Sequence, residues 1–371
     1  MLNMSNESII PWAKPEFWGN ERNYTDQALT STWISGGPFV DRFEHDFAKH
    51  CGRRFALTAS NGTTALHMAY LALGLGPGDE VVFPGFGFMG AANMAIYVGA
   101  KPVFAEVDCE TWCLTANEVE KAISPRTRLI VAIHTYGNVC DMNAIMELAN
   151  DQSIMVVEDT AEAFASRLRD RLAGTYAEIG TFSFQATKTI TTGEGGMVIT
   201  NDEDLYDRMA LYRSHGMRRK RYYWHDLPGH NFRLTNLQAA LGVAQLENLE
   251  SIIHKRKHIH RQYHDQLSDV SGIVLQYYRP EVDAVLWALA VKLDPRAYPQ
   301  GRDAVIQEMK EARIETRPGF VAPRFMEHIY NCPALPVSEE LSNQVLSLPT
   351  YPSLQDEQID FICKQLRRSK R

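Results

Sequence analysis

Short apolar runs alternate with helical stretches between residues 55 and 200, and this alternation constrains the fold more than any other feature of the sequence. Residues 129–133 and 154–157 are β-branched apolar runs, which are typical of strands buried on both faces. Residues 61–74 carry alanine and leucine at helical spacing. A βαβα alternation of this kind predicts an α/β fold, a mostly parallel sheet covered by helices. Ligands of such sheets bind beyond the carboxyl ends of the strands.

The second part of the chain has a different pattern. A long helical region begins near residue 233 and becomes basic and rich in histidine, and a strand-like run follows at residues 285–293. Two more helical stretches come after it. Because a chain of 371 residues is longer than one compact core usually supports, we predict two domains. We place a large domain over residues 1–250 and a smaller α+β domain over residues 251–371.

The formal net charge of −7 disfavours a nucleic-acid partner, since duplex binding depends on clustered Lys and Arg. Residues 217–221 form one basic stretch, which is either a solvated loop or a pocket rim that attracts phosphate. No apolar stretch approaches the roughly 18 residues of a membrane span. The N-terminus does not resemble a signal peptide, and the six cysteines form no Cys-x-x-Cys pair. We therefore expect a soluble, cytoplasmic protein with reduced thiols.

A single lysine stands among apolar and hydroxyl residues within residues 180–196, just before a glycine-rich turn. In such a place the pKa of Lys188 falls, so its neutral amine could attack an aldehyde. Asp159 ends a predicted buried strand, where a carboxylate could keep a pyridine nitrogen protonated. Residues 60–64 open a helix whose free N–H groups suit a phosphate. Taken singly, these features could be a surface lysine and two helix caps. Together they fit one cofactor, pyridoxal phosphate.

Two other motifs suggest different chemistry. Residues 85–90 match Gly-x-Gly-x-x-Gly after a strand, and Asp108 follows at about the distance of a ribose contact, as in nicotinamide oxidoreductases. We disfavour that interpretation because a strand and a helix precede the motif, whereas the usual fingerprint begins its domain. A helical stretch with four histidines has basic neighbours and no acidic ligand, so we expect a solvated helix face and assign no metal. These histidines are His254, His258, His260 and His264.

The runs 188–196, 221–226 and 231–236 resemble sugar aminotransferases of the DegT/DnrJ/EryC1/StrS family, and the likeness extends over nearly the whole chain. The resemblance implies the type I pyridoxal-phosphate fold, with a mostly parallel seven-stranded sheet flanked by helices and a smaller C-terminal domain. It also implies transfer of an amino group from L-glutamate to a nucleotide-linked keto sugar, in surface polysaccharide synthesis. Within the family, the sequence is most similar to enzymes that aminate a GDP-linked 4-keto-6-deoxymannose.

Position by position, the resemblance also implies roles for residues. Lys188 would carry the cofactor, Asp159 would face the pyridine nitrogen, and Glu162 would lie near the ring hydroxyl. Phe88 falls where the family stacks an aromatic ring on the cofactor. The residues at phosphate-binding positions are Gly62, Thr63 and Ser183.

The family likeness also bears on assembly and on the substrate. Asn231 resembles an asparagine that a neighbouring subunit lends to the phosphate, which implies a homodimer with shared active sites. Candidate residues for holding the nucleotide sugar are Trp224, His225, Arg219, Lys220 and Arg317.

Two segments depart from the pattern of the most similar enzymes. Residues 184–187 read Phe-Gln-Ala-Thr where those enzymes carry Phe-Phe-Gly-Asn, and residues 317–323 differ as well. We expect both segments to border the sugar or nucleotide. The acceptor could therefore be another nucleotide-linked sugar, UDP- or dTDP-linked, with its keto group at position 3 or 4. A dehydratase branch carries histidine in place of Lys188, and a non-catalytic regulator would not need the complete set of cofactor residues, so both are disfavoured.

Overall fold

The computed structural model describes residues 9–218, 221 and 223–371. The helices within these residues are α1 (Glu21–Thr30), α2 (Pro38–Cys51), α3 (Gly62–Leu73), α4 (Gly90–Tyr97), α5 (Ala116–Ala122), α6 (Met142–Gln152), α7 (Glu203–Arg213), α8 (Asn236–Glu247), α9 (Leu249–Leu267), α10 (Arg302–Glu311), α11 (Pro336–Gln344) and α12 (Asp356–Arg368). The strands within the same residues are β1 (Phe55–Ala59), β2 (Glu80–Pro84), β3 (Lys101–Ala105), β4 (Thr127–Ile133), β5 (Met155–Asp159), β6 (Arg167–Leu168), β7 (Arg171–Leu172), β8 (Ile179–Ser183), β9 (Gly196–Thr200), β10 (Ile273–Leu275), β11 (Val282–Asp283), β12 (Leu289–Leu293), β13 (Arg317–Pro318) and β14 (Val345–Leu348).

The largest sheet of the described chain has seven strands in the order β1-β9-β8-β5-β4-β2-β3. Strand β9 runs antiparallel to β1 and β8, and the other neighbouring strands are parallel. Alternate residues of β4 pack on opposite faces: Leu129 and Val131 face the core of α3 and α4, whereas Ile130 and Ala132 face that of α5 and α6. The predicted fold class, a mostly parallel sheet flanked by helices, is confirmed.

Helix α3 begins where the sequence predicted a helix start. The Asn61 side chain accepts a hydrogen bond from the Thr64 backbone N–H at 2.8 Å, and the Thr64 hydroxyl accepts one from the Asn61 N–H at 3.1 Å. The helix ends at Gly74, whose φ of 76° suits glycine. Local capping therefore fixes both ends of the helix that follows β1.

Two predicted elements differ from those observed. The helical region after residue 233 forms two helices, α8 and α9. The Asn248 side chain donates a hydrogen bond to the backbone carbonyl of Ala244 at 3.0 Å and so interrupts the series of helical backbone hydrogen bonds. The predicted strand at 285–293 is a strand only over β12. Residues 285–288 form no strand, because a buried arginine of α9, Arg256, donates hydrogen bonds to the backbone carbonyls of Leu286 and Trp287.

A second sheet, antiparallel with the order β10-β12-β14-β13, packs against α9, α10 and α12. Its core contains Ile259 and Tyr263 of α9, and Ile10 from the start of the described chain joins it. The backbone N–H of Ile10 donates to the carbonyl of Arg313 at 2.9 Å. The domain division at residue 250 stays a prediction. In the described part of the chain, every helix is too short or too polar to cross a membrane.

Candidate active site

A cavity of about 880 Å³ lies beyond the carboxyl ends of β1, β2, β5 and β8. This is the edge of the sheet at which the sequence predicts ligand binding, and the volume is typical of cavities that hold a cofactor or substrate. The cavity brings seven predicted site residues together from distant parts of the sequence. They are Gly62, Thr63, Phe88, Asp159, Glu162, Ser183 and Lys188.

Lys188 lies on the cavity wall, in the turn between β8 and β9. Its Nζ atom is 3.7 Å from the centroid of the Trp287 ring. Burial lowers the pKa of Lys188, although the nearby carboxylates of Glu162 and Asp159 act in the opposite direction. A neutral amine, the form that reacts with a carbonyl carbon, is therefore easier to reach here than in a lysine exposed to water.

Two buried carboxyl groups share the cavity with the lysine. Asp159 ends β5 and accepts one hydrogen bond, from the Ala161 N–H at 3.1 Å, and burial raises its pKa. Glu162 accepts one from the Tyr136 N–H at 2.9 Å, and burial raises its pKa to about 7. Each carboxylate thus has acceptor capacity left for a ligand, and Glu162 can gain or lose a proton near neutral pH.

Glu158, the residue before Asp159, faces the opposite side of the sheet and is fully bonded within the protein. It accepts hydrogen bonds from His134 Nε2 at 3.0 Å and from the backbone of Gly174 and Ala177 at 2.7 and 2.8 Å. The Cys140 N–H donates to His134 Nδ1 at 3.3 Å, which leaves the imidazole proton on Nε2. Burial raises the pKa of Glu158, but these donors more than offset burial, so the pKa lies below its ordinary value.

The three residues predicted to bind a phosphate, Gly62, Thr63 and Ser183, lie together at the N-terminus of α3 and are called the phosphate cup below. Since Asn61 caps the Thr64 N–H, the N–H groups of Gly62 and Thr63 at the first turn have no acceptor within the helix. A Cβ atom on Gly62 would lie 2.8 Å from Ser183 Cβ, so glycine lets the helix start approach the serine hydroxyl. N–H donors, two hydroxyls and the positive end of a helix dipole suit a phosphate group.

The rim of the cavity carries an exposed aromatic side chain. Phe88 is 61% exposed, and its ring centroid lies 6.4 Å from that of Phe320. Phe320 in turn stacks on Tyr136 at 5.1 Å, within an aromatic cluster that also contains Phe86. Segment 317–323, which differs from the most similar enzymes, therefore lies beside Phe88 at the cavity rim through Phe320.

Arg256 and Trp287 contribute to the site although the sequence interpretation gave them no role there. Arg256 is one of the basic neighbours of the four histidines, on a stretch predicted to be a solvated helix face. It is buried instead, and its guanidinium donates to the carbonyls of Leu286 at 2.9 Å and Lys188 at 3.4 Å. It shares the buried face of α9 with Ile252 and Ile259. Helical periodicity in the sequence contained that signal. Nothing local in the sequence placed Trp287 against Lys188.

Four predicted residues are not among those that line the cavity of this chain. Trp224 donates to Asp226 at 3.0 Å, and His225 Nδ1 lies 2.6 Å from a backbone carbonyl. Asn231 accepts from Arg233 at 3.0 Å. Arg317, on β13, pairs with Glu315. Arg219 and Lys220 lie outside the described residues.

The oxidoreductase interpretation required Asp108 to bind a ribose. The Asp108 carboxylate instead accepts hydrogen bonds from the Thr111 N–H at 2.7 Å and the Thr111 hydroxyl at 2.8 Å, and it closes a local turn. The glycine motif at residues 85–90 leads into α4 at the cavity rim. In the structure, Asp108 therefore stabilises a turn, and the glycine motif forms the connection between β2 and α4.

Fold and relatives define the class of this protein as a pyridoxal-phosphate-dependent sugar aminotransferase. The chain belongs to the DegT/DnrJ/EryC1/StrS aminotransferase family, whose model matches residues 17–367. The family resemblance of the sequence is thereby confirmed.

Among the similar proteins is the GDP-perosamine synthase of Escherichia coli O157:H7, which is 38% identical over 362 residues, 96% of this chain and 97% of that protein. The GDP-perosamine synthase of Caulobacter vibrioides is 39% identical over 370 residues, 98% of this chain and 99% of that protein. Among solved structures, the aminotransferase TlmJ from Streptoalloteichus hindustanus superposes with a TM-score of 0.92 at 30% identity, covering 97% of this chain and 98% of that one.

Proposed function

We propose that this aminotransferase moves an amino group from L-glutamate to the keto carbon of a GDP-linked 4-keto-6-deoxy sugar, in the cytoplasm, as a step toward surface polysaccharide. The observation that carries the proposal is the placement of Lys188 with two buried carboxyl groups, Asp159 and Glu162, in a cavity of about 880 Å³. Relatives that are GDP-perosamine synthases, at 38% and 39% identity, support the choice of acceptor.

The cofactor residues fit pyridoxal phosphate. The phosphate cup would bind the phosphate, Asp159 would hold a proton at the pyridine nitrogen, and Glu162 would face the ring hydroxyl. Phe88 would cover the ring from the rim. When bound, this cofactor supplies a carbonyl carbon that takes up the amino group and a ring that withdraws electrons.

Lys188 has two tasks in the proposed reaction. Its neutral Nζ would hold the cofactor, and, once displaced by the amino group of glutamate, it would accept the α-carbon proton of glutamate and pass that proton on. Because burial lowers the pKa of Lys188, the neutral amine that can accept a proton is easier to reach than in a lysine exposed to water. The same proton movements in reverse serve the keto sugar. One site used in turn by two substrates gives ping-pong kinetics.

The proposed enzyme is a homodimer in which each subunit lends Asn231 to the phosphate of its partner. Two observations support this arrangement: Asn231 is not among the residues that line the cavity of its own chain, and an exposed aromatic residue, Phe88, stands at the rim. Trp224, His225 and Arg317 are likewise not among the residues that line the cavity of their own chain. They remain proposed contacts for the nucleotide, reached across the dimer or by closure on the substrate.

Substrate identity is tested with the protein in its pyridoxamine-phosphate form and a panel of GDP-, UDP- and dTDP-linked keto sugars. We expect the GDP-linked 4-keto-6-deoxy sugar to be aminated fastest, with the product identified by mass spectrometry. Faster amination of a UDP- or dTDP-linked sugar would replace the proposed acceptor. Amination of none, with the cofactor bound, would favour a non-catalytic regulator.

The lysine assignment is tested with Lys188→Ala. The variant should lose all transamination and the visible absorbance of lysine-bound cofactor, because Lys188 is the one lysine among the described residues that line the cavity. Lys257→Ala is the matched control, since Lys257 pairs with Asp283 on the surface at 2.6 Å. The control should keep full activity. Turnover by Lys188→Ala would contradict the assignment.

The shared site is tested by complementation. Lys188→Ala and Asn231→Ala subunits, expressed together, form hybrid dimers. One of the two sites then combines an intact lysine with an intact asparagine only when the asparagine comes from the partner subunit. If Asn231 acts across the interface, the mixture should be more active than either variant alone. Activity no greater than that of Asn231→Ala would show that each chain builds its site alone.

A further inference from the structure

The side chain of Gln185 is held in one orientation by the turn that leads to Lys188. Its Oε1 atom accepts a hydrogen bond from the Thr187 backbone N–H at 2.8 Å and another from the Thr187 hydroxyl at 2.7 Å. A backbone N–H can only donate, so the atom facing it must be the amide oxygen. The Nε2 atom, with its two N–H groups, therefore faces away from Thr187.

The residue that holds Gln185, Thr187, is itself fixed by a residue 100 positions later in the chain. Trp287 Nε1 donates to the Thr187 carbonyl at 3.1 Å, and the Gln185 carbonyl accepts from the Lys188 N–H at 2.8 Å. The amide is thus locked before any ligand arrives. A donor fixed in this way loses little freedom on binding, which favours discrimination between ligands.

Gln185 is half-buried and lines the same cavity as Lys188 and Asp159. Within the part of the chain that the structure describes, Nε2 has no hydrogen-bond partner, whereas Oε1 has two. A polar donor that becomes enclosed without an acceptor costs free energy, so a ligand that fills this cavity must supply one.

We propose that Gln185 Nε2 is a specificity-determining donor that binds a neutral oxygen, a hydroxyl or keto oxygen, of the hexose in the acceptor sugar. This inference rests on the proposed function and names a contact that selects its substrate. Asp159 and Glu162 already bring negative charge to the cavity, and Gln185 adds no positive charge, so a neutral oxygen suits it better than the carboxylate of glutamate. The cofactor phosphate has its own donors in the phosphate cup.

Two substitutions separate the donor from the rest of the side chain. Gln185→Glu keeps an oxygen for both Thr187 donors but replaces the N–H groups with a second acceptor. Gln185→Met keeps the length of the side chain and removes donor and acceptor together. The two half-reactions are measured separately in single-turnover experiments, glutamate with the pyridoxal form and keto sugar with the pyridoxamine form.

We expect the keto-sugar half-reaction to slow about tenfold in Gln185→Met and further in Gln185→Glu, because the latter faces an acceptor with an acceptor. The ratio of the two half-reaction rates is the readout, since a general disturbance of Lys188 would slow both. Calorimetric affinity for the aminated sugar nucleotide should fall in parallel. Affinity for pyridoxal phosphate should stay within about twofold of wild type.

Thr187→Val provides a milder variant that keeps the backbone N–H bond to Oε1 and removes the hydroxyl bond. It should raise KM for the keto sugar with little change in kcat, because the donor is present but less fixed. Thermal melting confirms that each variant is folded.

Three results would overturn the proposal: an unchanged keto-sugar half-reaction in Gln185→Glu, a glutamate half-reaction slowed as much as that of the sugar, or a loss of cofactor affinity. Failure of the proposed function is distinguishable, because wild-type protein would then aminate no nucleotide sugar or would aminate a UDP- or dTDP-linked sugar faster.

Discussion

The two faces of β5 carry neighbouring carboxyl groups with opposite characters. Glu158 faces the interior, where His134 and three backbone N–H groups satisfy it, and its pKa lies below its ordinary value. Asp159 faces the cavity, accepts one hydrogen bond within the protein, and has a raised pKa. Both are buried. The difference shows that hydrogen-bond saturation, rather than burial, separates a structural carboxylate from one that is available to a ligand.

The two faces also differ in how pH affects stability. A carboxyl group whose pKa is lowered by folding, such as Glu158, stabilises the folded protein at pH values above its unfolded pKa. This stabilisation is lost as the pH falls through the folded pKa. A raised pKa, as in Glu162 on the cavity side, has the reverse effect, because the folded state holds the proton to higher pH than the unfolded state does. Stability then declines as pH rises between the unfolded and folded values.

The largest effect should follow from removing the structural carboxylate. Glu158→Ala leaves His134 and the backbone of residues 174–177 without their acceptor, so we expect a loss of about 3–5 kcal/mol in the free energy of unfolding. Denaturant unfolding measures it. Glu178→Ala is the control, because Glu178 is exposed and accepts one bond, from the Val156 N–H at 3.0 Å. A loss in Glu158→Ala no larger than in the control would remove the distinction between the faces.

The cavity-side neighbour should respond in activity instead. Asp159→Asn keeps the shape and the acceptor for the Ala161 N–H, but it cannot hold a proton at the pyridine nitrogen, which is the role proposed for Asp159. We expect transamination to slow by about a hundredfold or more, with the free energy of unfolding unchanged or increased. Parallel measurement of single-turnover rates and unfolding tests this. A large loss of stability without a loss of rate would place Asp159 with Glu158 as a structural group.

The pH dependence of stability predicted for the cavity side can be tested with Glu162→Gln in cofactor-free protein. Between the ordinary value of 4.5 and the folded pKa of about 7, wild-type protein should lose stability as pH rises, by up to about 3 kcal/mol. The glutamine keeps an oxygen for the Tyr136 N–H and does not titrate, so this loss should disappear from its unfolding curves. Equal pH dependence in both proteins would show that Glu162 titrates normally.

The smallest expected effect concerns the ring beside Lys188. Trp287→Leu removes the aromatic face that lies 3.7 Å from Nζ. The protonated amine then loses a stabilising cation–π contact, so the pKa of Lys188 should fall further. The pH dependence of amine labelling in cofactor-free protein measures the change. Trp287→Phe keeps an aromatic face, so the pKa of Lys188 in this variant should lie between those of wild-type protein and Trp287→Leu. An unchanged pKa in Trp287→Leu would leave Trp287 with a packing role alone.

The local sequence determined much of the fold and the chemistry of the site. Apolar alternation predicted the parallel sheet, and the cap at Asn61 predicted the start of α3. Strand ends and glycine turns placed Asp159 and Lys188 at the same edge of the sheet. These features are local because hydrogen-bonding capacity and periodicity are properties of short segments.

Tertiary structure decided which side chains complete the site. The bond that orients the Lys188 turn joins Thr187 to Trp287, 100 positions later, and Arg256 reaches Lys188 from α9. The alternation along β5 required Glu158 and Asp159 to face opposite ways, but only packing decided which face became core and which became cavity. A sequence states what each group can bind, whereas long-range packing decides which group supplies the partner and which is left free for a ligand.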